Sequence, residues 1–219
     1  MEEKSINFAA IPQTAVKVLT SPAEFFKTIP KTGGFIEPLV FALIMGFIAG
    51  IIHAIVGILG IGYIGRTFLE SLGLIIFVPI IVVIVSFISA AILFVIWKLM
   101  GSKENYETSY RCVAYLQVLG PVAGILNLIP YAGIILSMLL GLFFIVMASI
   151  YAHNIADKKA WIVFGIIFAL LLIFQIKAEY NLRNMPPTTK EVREKMEELN
   201  RQYQEHLEEA QRQAEEARK

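Results

Sequence analysis

Few side chains in this chain could do chemistry, and most of them stand at the edges of apolar stretches. His53 lies in the last third of a long apolar run, where an imidazole could relay protons or, as a neutral ring, hydrogen-bond to a neighbouring helix. Glu37 precedes Pro38 in the first turn of the same run, where a carboxylate favours the positive end of a helix dipole. Gln117, Asn127 and Asn154 suit hydrogen bonds between helices. No Asp or Glu falls in the middle of an apolar run, whereas ion-coupled transporters concentrate such groups near the bilayer midplane. A second set, Glu104, Glu107, Tyr110 and Arg111 with His153, Asn154 and Asp157, occupies two polar loops and would have to meet at one interface to form an enzyme site. The segment "HNIAD" lacks the two-histidine-plus-glutamate spacing of a metalloprotease, and neither a GxSxG nucleophile turn nor a phosphate-binding glycine loop occurs. Three scattered histidines and the single Cys112 exclude a disulfide framework and give no metal spacing. The expectation is a non-enzyme without catalytic residues, cofactor or metal.

The elements that carry these groups follow from composition. Hydrophobic residues make up 57% of 219 positions and charged residues 17%, below the ~25% of soluble domains. The solvent is therefore a bilayer. A net charge of +1 excludes a nucleic-acid binder, which needs a concentrated basic face. About 20 apolar residues cross a membrane core. On that rule the sequence predicts an all-α polytopic bundle of five transmembrane helices, at about 36–59, 72–97, 112–128, 131–151 and 161–176. Residues 1–35 form an N-terminal segment, 36–177 the membrane domain and 178–219 a linker and charged C-terminal helix. Without a signal-peptide pattern in the first thirty residues, the first span is expected to serve as its own insertion signal. The third span is interrupted by Gly120-Pro121, and Ile129-Pro130 makes a tight turn into the fourth.

Trp97, Tyr110, Tyr151 and Trp161 mark one membrane interface, and Tyr63, Tyr131 and Tyr180 the other. Nine Lys and Arg residues on the first side against Arg66 on the second place the N-terminus in the cytoplasm of a multi-pass cell-membrane protein. Five spans then put the tail outside. Lys177, Arg183, Lys190, Arg193 and Lys195 argue the other way, and a re-entrant 112–128 would bring the tail inside.

Before the first span, "SPAEFFKTIPKTGGF" predicts an interfacial helix. Ser21 is its expected N-cap and Glu24 the capping-box partner, with Pro22 first in the helix. Phe25, Phe26 and Ile29 gather toward lipid, Lys27 and Lys31 reach water or headgroups, and Gly33-Gly34 bends the chain into the membrane. Small residues recur every four positions in the spans: Ala42, Gly46, Gly50 and Ala54; Gly120 and Gly124; Gly133, Ser137 and Gly141. In lipid such stripes let backbones approach, within one bundle or in a homo-oligomer. After Met185-Pro186-Pro187, a capping box from Thr188 to Glu191 opens a charged helix. Val192, Met196, Leu199, Tyr203 and Ala210 form its thin stripe, with His206 and Gln213 on the seam. It is either a solvated helix or one that binds a partner or itself.

The segments "TSPAEFFKTIPKTGGFIEPL", "WKLMGSKENYETSYRCVAYLQVLGPV" and "LIPYAGIILSMLLGLFFIVMASIYAHNIADKKAW" together resemble the Yip family of five-span membrane proteins, in its prokaryotic branch, over roughly Val18 to Ile176. The marks are Ser-Pro-x-x-x-Phe, the polar loop leading to Arg111-x-x-Ala114-Tyr115, the Ile-Pro turn, and His153 followed by Lys158-Lys159. The resemblance implies a cytoplasmic N-terminus. Similar eukaryotic proteins act in vesicle traffic and bind prenylated Rab-type GTPases, but the Asp-Leu-Tyr-Gly-Pro motif of those members is missing, so GTPase binding does not carry over. What the resemblance implies is a non-catalytic scaffold that organises membrane or recruits partners, with lipids as its first partners. The alternative is a small-solute channel or transporter using the kinked third helix, with Gly120, Pro121 and Gln117, and the loosely packed glycine faces; His53 and Gln117 are the expected buried polar groups of the spans.

Overall fold

The computed structural model describes residues 8–60, 67–184 and 188–216, and every regular element among them is helical. A single 3-10 turn, Phe8–Ala10, leads into α1 (Ile11–Thr20) and α2 (Pro22–Thr28). There follow α3 (Ile36–Ile58), α4 (Phe68–Leu99), α5 (Tyr106–Leu116), α6 (Leu119–Leu126), α7 (Ala132–Tyr151), α8 (Asp157–Arg183) and α9 (Thr188–Glu216). The chain divides into two compact units, Met1–Glu179 and Tyr180–Lys219. Tyr63, Arg66 and the Met185–Pro187 linker, used above to place boundaries, lie outside the described residues, as do the side chains of the Thr188–Glu191 capping box.

Four helices, α3, α4, α7 and α8, are long and apolar enough to cross a membrane. Helix α4 begins four residues earlier than hydropathy alone predicts because Thr67 and Glu70 form a reciprocal capping box: the Thr67 N–H donates to Glu70 (2.7 Å) and the Glu70 N–H to the Thr67 hydroxyl (3.3 Å). Helix α8 outruns the expected 161–176 at both ends.

The third expected span is not one helix. It is the pair α5 and α6, of 11 and 8 residues, joined at Gln117-Val118 instead of breaking at Gly120-Pro121. Pro121 sits in the first turn of α6. A proline has no N–H for the carbonyl four residues earlier and its ring collides with that carbonyl, which here is that of Gln117. The break therefore falls one turn upstream, and tighter turns fill it, with Gln117 N–H to Ala114 (3.2 Å) and Gly120 N–H to Gln117 (3.0 Å).

Small residues set how closely the helices pack. A Cβ on Gly46 would lie 2.9 Å from the Pro79 Cα, and one on Gly50 would lie 2.7 Å from the Leu74 carbonyl oxygen. Successive residues of α3 thus meet earlier residues of α4, so the two run antiparallel, with Ala42 and Ala54 buried. Helix α6 runs parallel to α3, with Gly120 beside Ala49 and Gly124 against Ile52 and His53. Gly133 packs on the backbone of Leu126 and Asn127, in a turn where Tyr131 adopts φ 56°, and Gly141 faces Phe168 of α8. The Ser137 hydroxyl donates to the Asn127 side chain (3.1 Å).

At the N-terminus the structure departs from the sequence reading. Pro12 in the first turn of an amphipathic stretch opens α1, a helix the hydropathy profile does not announce. Ser21 makes no side-chain cap for α2, and Glu24 instead pairs with Lys17 on α1 at 3.3 Å. Phe25, Phe26 and Ile29 do not face lipid. All three are buried, Phe26 completely, in the main core with Val18, Tyr115, Phe144 and Ala148. Phe25 meets the Tyr115 ring edge-on, with centroids 5.0 Å apart. Lys27 is exposed. In the second unit, Val192, Met196, Leu199, Tyr203 and Leu207 lie exposed along α9.

Candidate functional site

Of the polar groups singled out in the two loops, Glu104 and His153 meet at Ser102, at the end of the helices where α3 begins and α4 and α7 finish. Glu107 and Arg111 bind the N-terminal segment close by, whereas Tyr110 stacks on Phe87 of α4, with ring centroids 4.1 Å apart. Trp97, in the last turn of α4 and fully buried, donates its indole N–H to the Ser149 hydroxyl of α7 (2.8 Å) and stacks on His153, with ring centroids 3.8 Å apart. His153 stands just beyond α7, in a turn closed by Asn154 at φ 54° and by the Ile155 N–H bonded to the Ser149 carbonyl (3.0 Å). Its Nδ1 is 2.9 Å from the Ser102 hydroxyl, which also accepts the Glu104 N–H (3.2 Å). Lys159 at the start of α8 donates to the Met100 carbonyl (2.9 Å), which closes this end.

A second cluster binds the N-terminal segment to the α4–α5 loop. Lys31 pairs with Glu104 (2.6 Å), the Thr108 hydroxyl donates to the Lys31 carbonyl (3.2 Å), and the Gly34 N–H donates to Glu107 (2.7 Å). Arg111, 1% exposed, donates from one nitrogen to the Gly34 carbonyl (2.8 Å) and from another to Glu37 (3.3 Å). Asn105 caps α5 by accepting the Thr108 N–H (2.9 Å) and so aims Glu107 and Arg111 at that segment. Gly33 and Gly34, at φ 123° and 84°, present their backbone groups in a conformation that a side chain would strain. Glu37 therefore serves as counter-charge to a buried guanidinium as well as at the helix start.

The chemistry open to this cap is limited. Burial, then the positive charges of Lys31 and Lys98, push His153 down to about 3, so its ring is neutral at physiological pH and too weak a base to activate Ser102. The Glu104 carboxylate that could orient such a pair is taken by Lys31. Among the described residues no three His, Cys, Asp or Glu side chains are placed to hold a metal ion.

The remaining groups are elsewhere. His53 bonds through Nδ1 to its own Ala49 carbonyl (2.7 Å) and packs on Gly124, and Gln117 reaches only the Val113 carbonyl (3.4 Å) at the α5–α6 break. A group not anticipated from the sequence is Glu179, near the end of α8. It is 3% exposed and accepts the Tyr131 N–H (3.1 Å) of the α6–α7 turn. The signal available for it was a lone acid within a turn of the apolar run, two residues after Lys177.

Apolar helices of spanning length, joined by polar caps and close glycine contacts, define an integral membrane protein built as a helical bundle. The sequence profile of the Yip1 domain matches residues 16–178, most of the chain, and the protein belongs to the Yip family. Comparisons with curated proteins and with solved structures gave no match. The matched stretch begins in α1 and ends in α8, so it contains every member of the cap described above.

Proposed function

We propose that this protein is a non-catalytic membrane scaffold, which uses the capped end of the bundle and α9 to organise lipids and recruit protein partners. The observation that carries this reading is the cap itself. Three separate parts of the chain, 25–37, 97–111 and 149–159, are tied together there, by side-chain pairs (Lys31–Glu104, Trp97–Ser149, Ser102–His153) and by Arg111 and Lys159 on backbone carbonyls. Most of these groups are buried and committed to holding the chain. Exposed Lys27, Lys103 and Lys158 give this face its positive character, the basis for assigning it to the cytoplasm of a cell-membrane protein. Affinity capture in mild detergent, with and without residues 188–219, tests recruitment. Partners retained equally by both forms would remove α9 from the proposal, and a homo-oligomer lost with the tail would assign it to self-association.

We further propose five crossings, with α5 and α6 sharing the third. Arg111 of α5 sits at the capped end, whereas Gly124 of α6 lies beside His53 near the other end of α3. Helix α8 then runs from Lys159 at the cap to Glu179 at the α6–α7 turn, about 30 Å at 1.5 Å per residue, which matches a bilayer core. Single cysteines at Ser5, Ser102 and Gln211, on a Cys112→Ser background, should label with the first two on one side and the third opposite. Labelling of Gln211 with Ser5 would sink the five-crossing arrangement. The α5–α6 break also supports a second reading, a small-solute channel through the third crossing. Selective flux into proteoliposomes, abolished by Pro121→Ala or Gln117→Ala, would favour it over the scaffold.

A further inference from the structure

The deep burial of Phe25 and Phe26 leaves α2 without a lipid-facing surface, but its neighbour has one. At about 100° per residue, the side chains of α1 fall into three sectors around its axis. Measured from Pro12, Val18, Ile11 and Ala15 lie at about 240–300°, and these residues pack on the main core, Val18 with no exposure. Leu19, Pro12 and Val16 lie at about 340–40° and Thr20, Gln13 and Lys17 at about 80–140°, and all six are exposed. Phe8, one turn before Pro12 and 62% exposed, continues the apolar sector.

The order of the sectors identifies their surroundings. A helix lying between protein and water needs two faces, apolar inside and polar outside. This one has a third, apolar and exposed, set between the protein-packed face and the polar face. That arrangement suits a helix at the junction of protein, lipid and water. We propose that α1 is the interfacial element of this protein, with Phe8, Pro12, Val16 and Leu19 in the headgroup and acyl boundary of the leaflet at the capped end. The occupant is lipid for two reasons. Helix α1 packs on α2 and α5 and on the core cluster that also holds Trp97, Met100, Ala148 and Ala152, which sets it at the end of the bundle where the spans expose Ile36, Leu99 and Trp161. Lys17 in the polar sector is already paired with Glu24, so no free charge on α1 calls for an acidic protein partner. For the same reason apolar contact, and not headgroup charge, holds the helix.

The test is a nitroxide scan of residues 12–20 in the full chain, on a Cys112→Ser background, in phosphatidylcholine nanodiscs. Collision with oxygen should be highest at Val16 and Leu19. Collision with a water-soluble nickel chelate should be highest at Gln13 and Lys17 and several-fold lower at Val16. Equal nickel access at Val16 and Gln13 would overturn the proposal. So would shielding of Val16 from both reagents, which means cover by protein; spin–spin broadening that disappears on dilution with unlabelled chains would identify that cover as a second copy. Because Cys112 is buried and its replacement could disturb folding, Val16→Trp in the otherwise native chain gives an independent measurement. Its added fluorescence should be quenched by brominated phosphatidylcholine, and emission that brominated lipid leaves unchanged would also refute the assignment.

Discussion

Replacing Phe26 with alanine separates a side chain held by protein from one held by lipid. Phe26 has no exposed surface and meets Phe25 edge-on, with ring centroids 5.4 Å apart. A buried aromatic side chain covers roughly 150–250 Å², and Phe→Ala in a core costs about 3–5 kcal/mol once the cavity is included. Helix α2 has seven residues and cannot persist alone, so this loss falls on its docking against α7 and α5. Each 1.4 kcal/mol is tenfold in an opening equilibrium, so a loss near 3 kcal/mol raises opening roughly a hundredfold. Hydrogen exchange of the 11–30 segment, followed by mass spectrometry in nanodiscs, should accelerate by about that factor, limited by the docking free energy of the segment itself. Lys27→Ala, at an exposed neighbour, should leave exchange unchanged. Acceleration below about threefold in Phe26→Ala would show that the ring is not buried in protein, and the reasoning about both α2 and α1 would fall with it.

Three other outcomes follow from the geometry. Gly50→Ala should destabilise the protein in detergent by about 1–3 kcal/mol, because its Cβ would lie 2.7 Å from a backbone oxygen of α4; Gly165→Ala, into open space, should not. His153 is held neutral down to about pH 3 against an ordinary 6.5, so its contribution is complete above pH 6.5 and lost as pH falls and the unfolded chain takes up a proton. Between pH 7 and 5 the protein should lose about 2 kcal/mol that a His153→Gln variant retains, as read from denaturation midpoints at each pH. In a double-mutant cycle Arg111→Met with Glu37→Gln should show a coupling below about 1 kcal/mol, because the Glu37 carboxylate is more than half exposed; a coupling above 3 kcal/mol would place it in a far drier site.

The long helices are legible in the sequence because hydropathy over 20 residues is a property of the segment itself. The α3 and α7 boundaries fall within a residue of those expected. The cap is legible in part: its members occur among the residues that carry the family resemblance, but their partners lie up to 77 positions away, and pairing at that distance leaves no local pattern. The sequence reading misplaces two features for different reasons. It sets the α5–α6 break at the proline, whereas a proline disturbs the carbonyl one turn before it. It assigns Phe25 and Phe26 to lipid because an amphipathic stripe shows only that an apolar surface is required, and a protein core meets that requirement as well as a bilayer does. The capping box of α4, Thr67 to Glu70, is an ordinary four-residue signature, hidden beside a 32-residue apolar helix.

The docking of α2 onto α7 also imposes an order on biogenesis. Phe26 leaves the ribosome about 120 residues ahead of its partners Phe144 to Ala148, an interval of roughly 6–24 s at 5–20 residues per second. During that time α3 and α4 can enter the membrane while the Phe25-Phe26 face lacks its α7 partners, and until Tyr115 of α5 follows, the nearest large apolar medium is the bilayer surface. The lipid contact suggested by the sequence is then expected of the growing chain. Chains stalled before residue 132 should carry a photo-crosslinker at Phe26 into lipid, and finished chains should carry it into α7. On that expectation the same two phenylalanines serve first as a temporary mooring and later as a latch that closes once α7 has arrived.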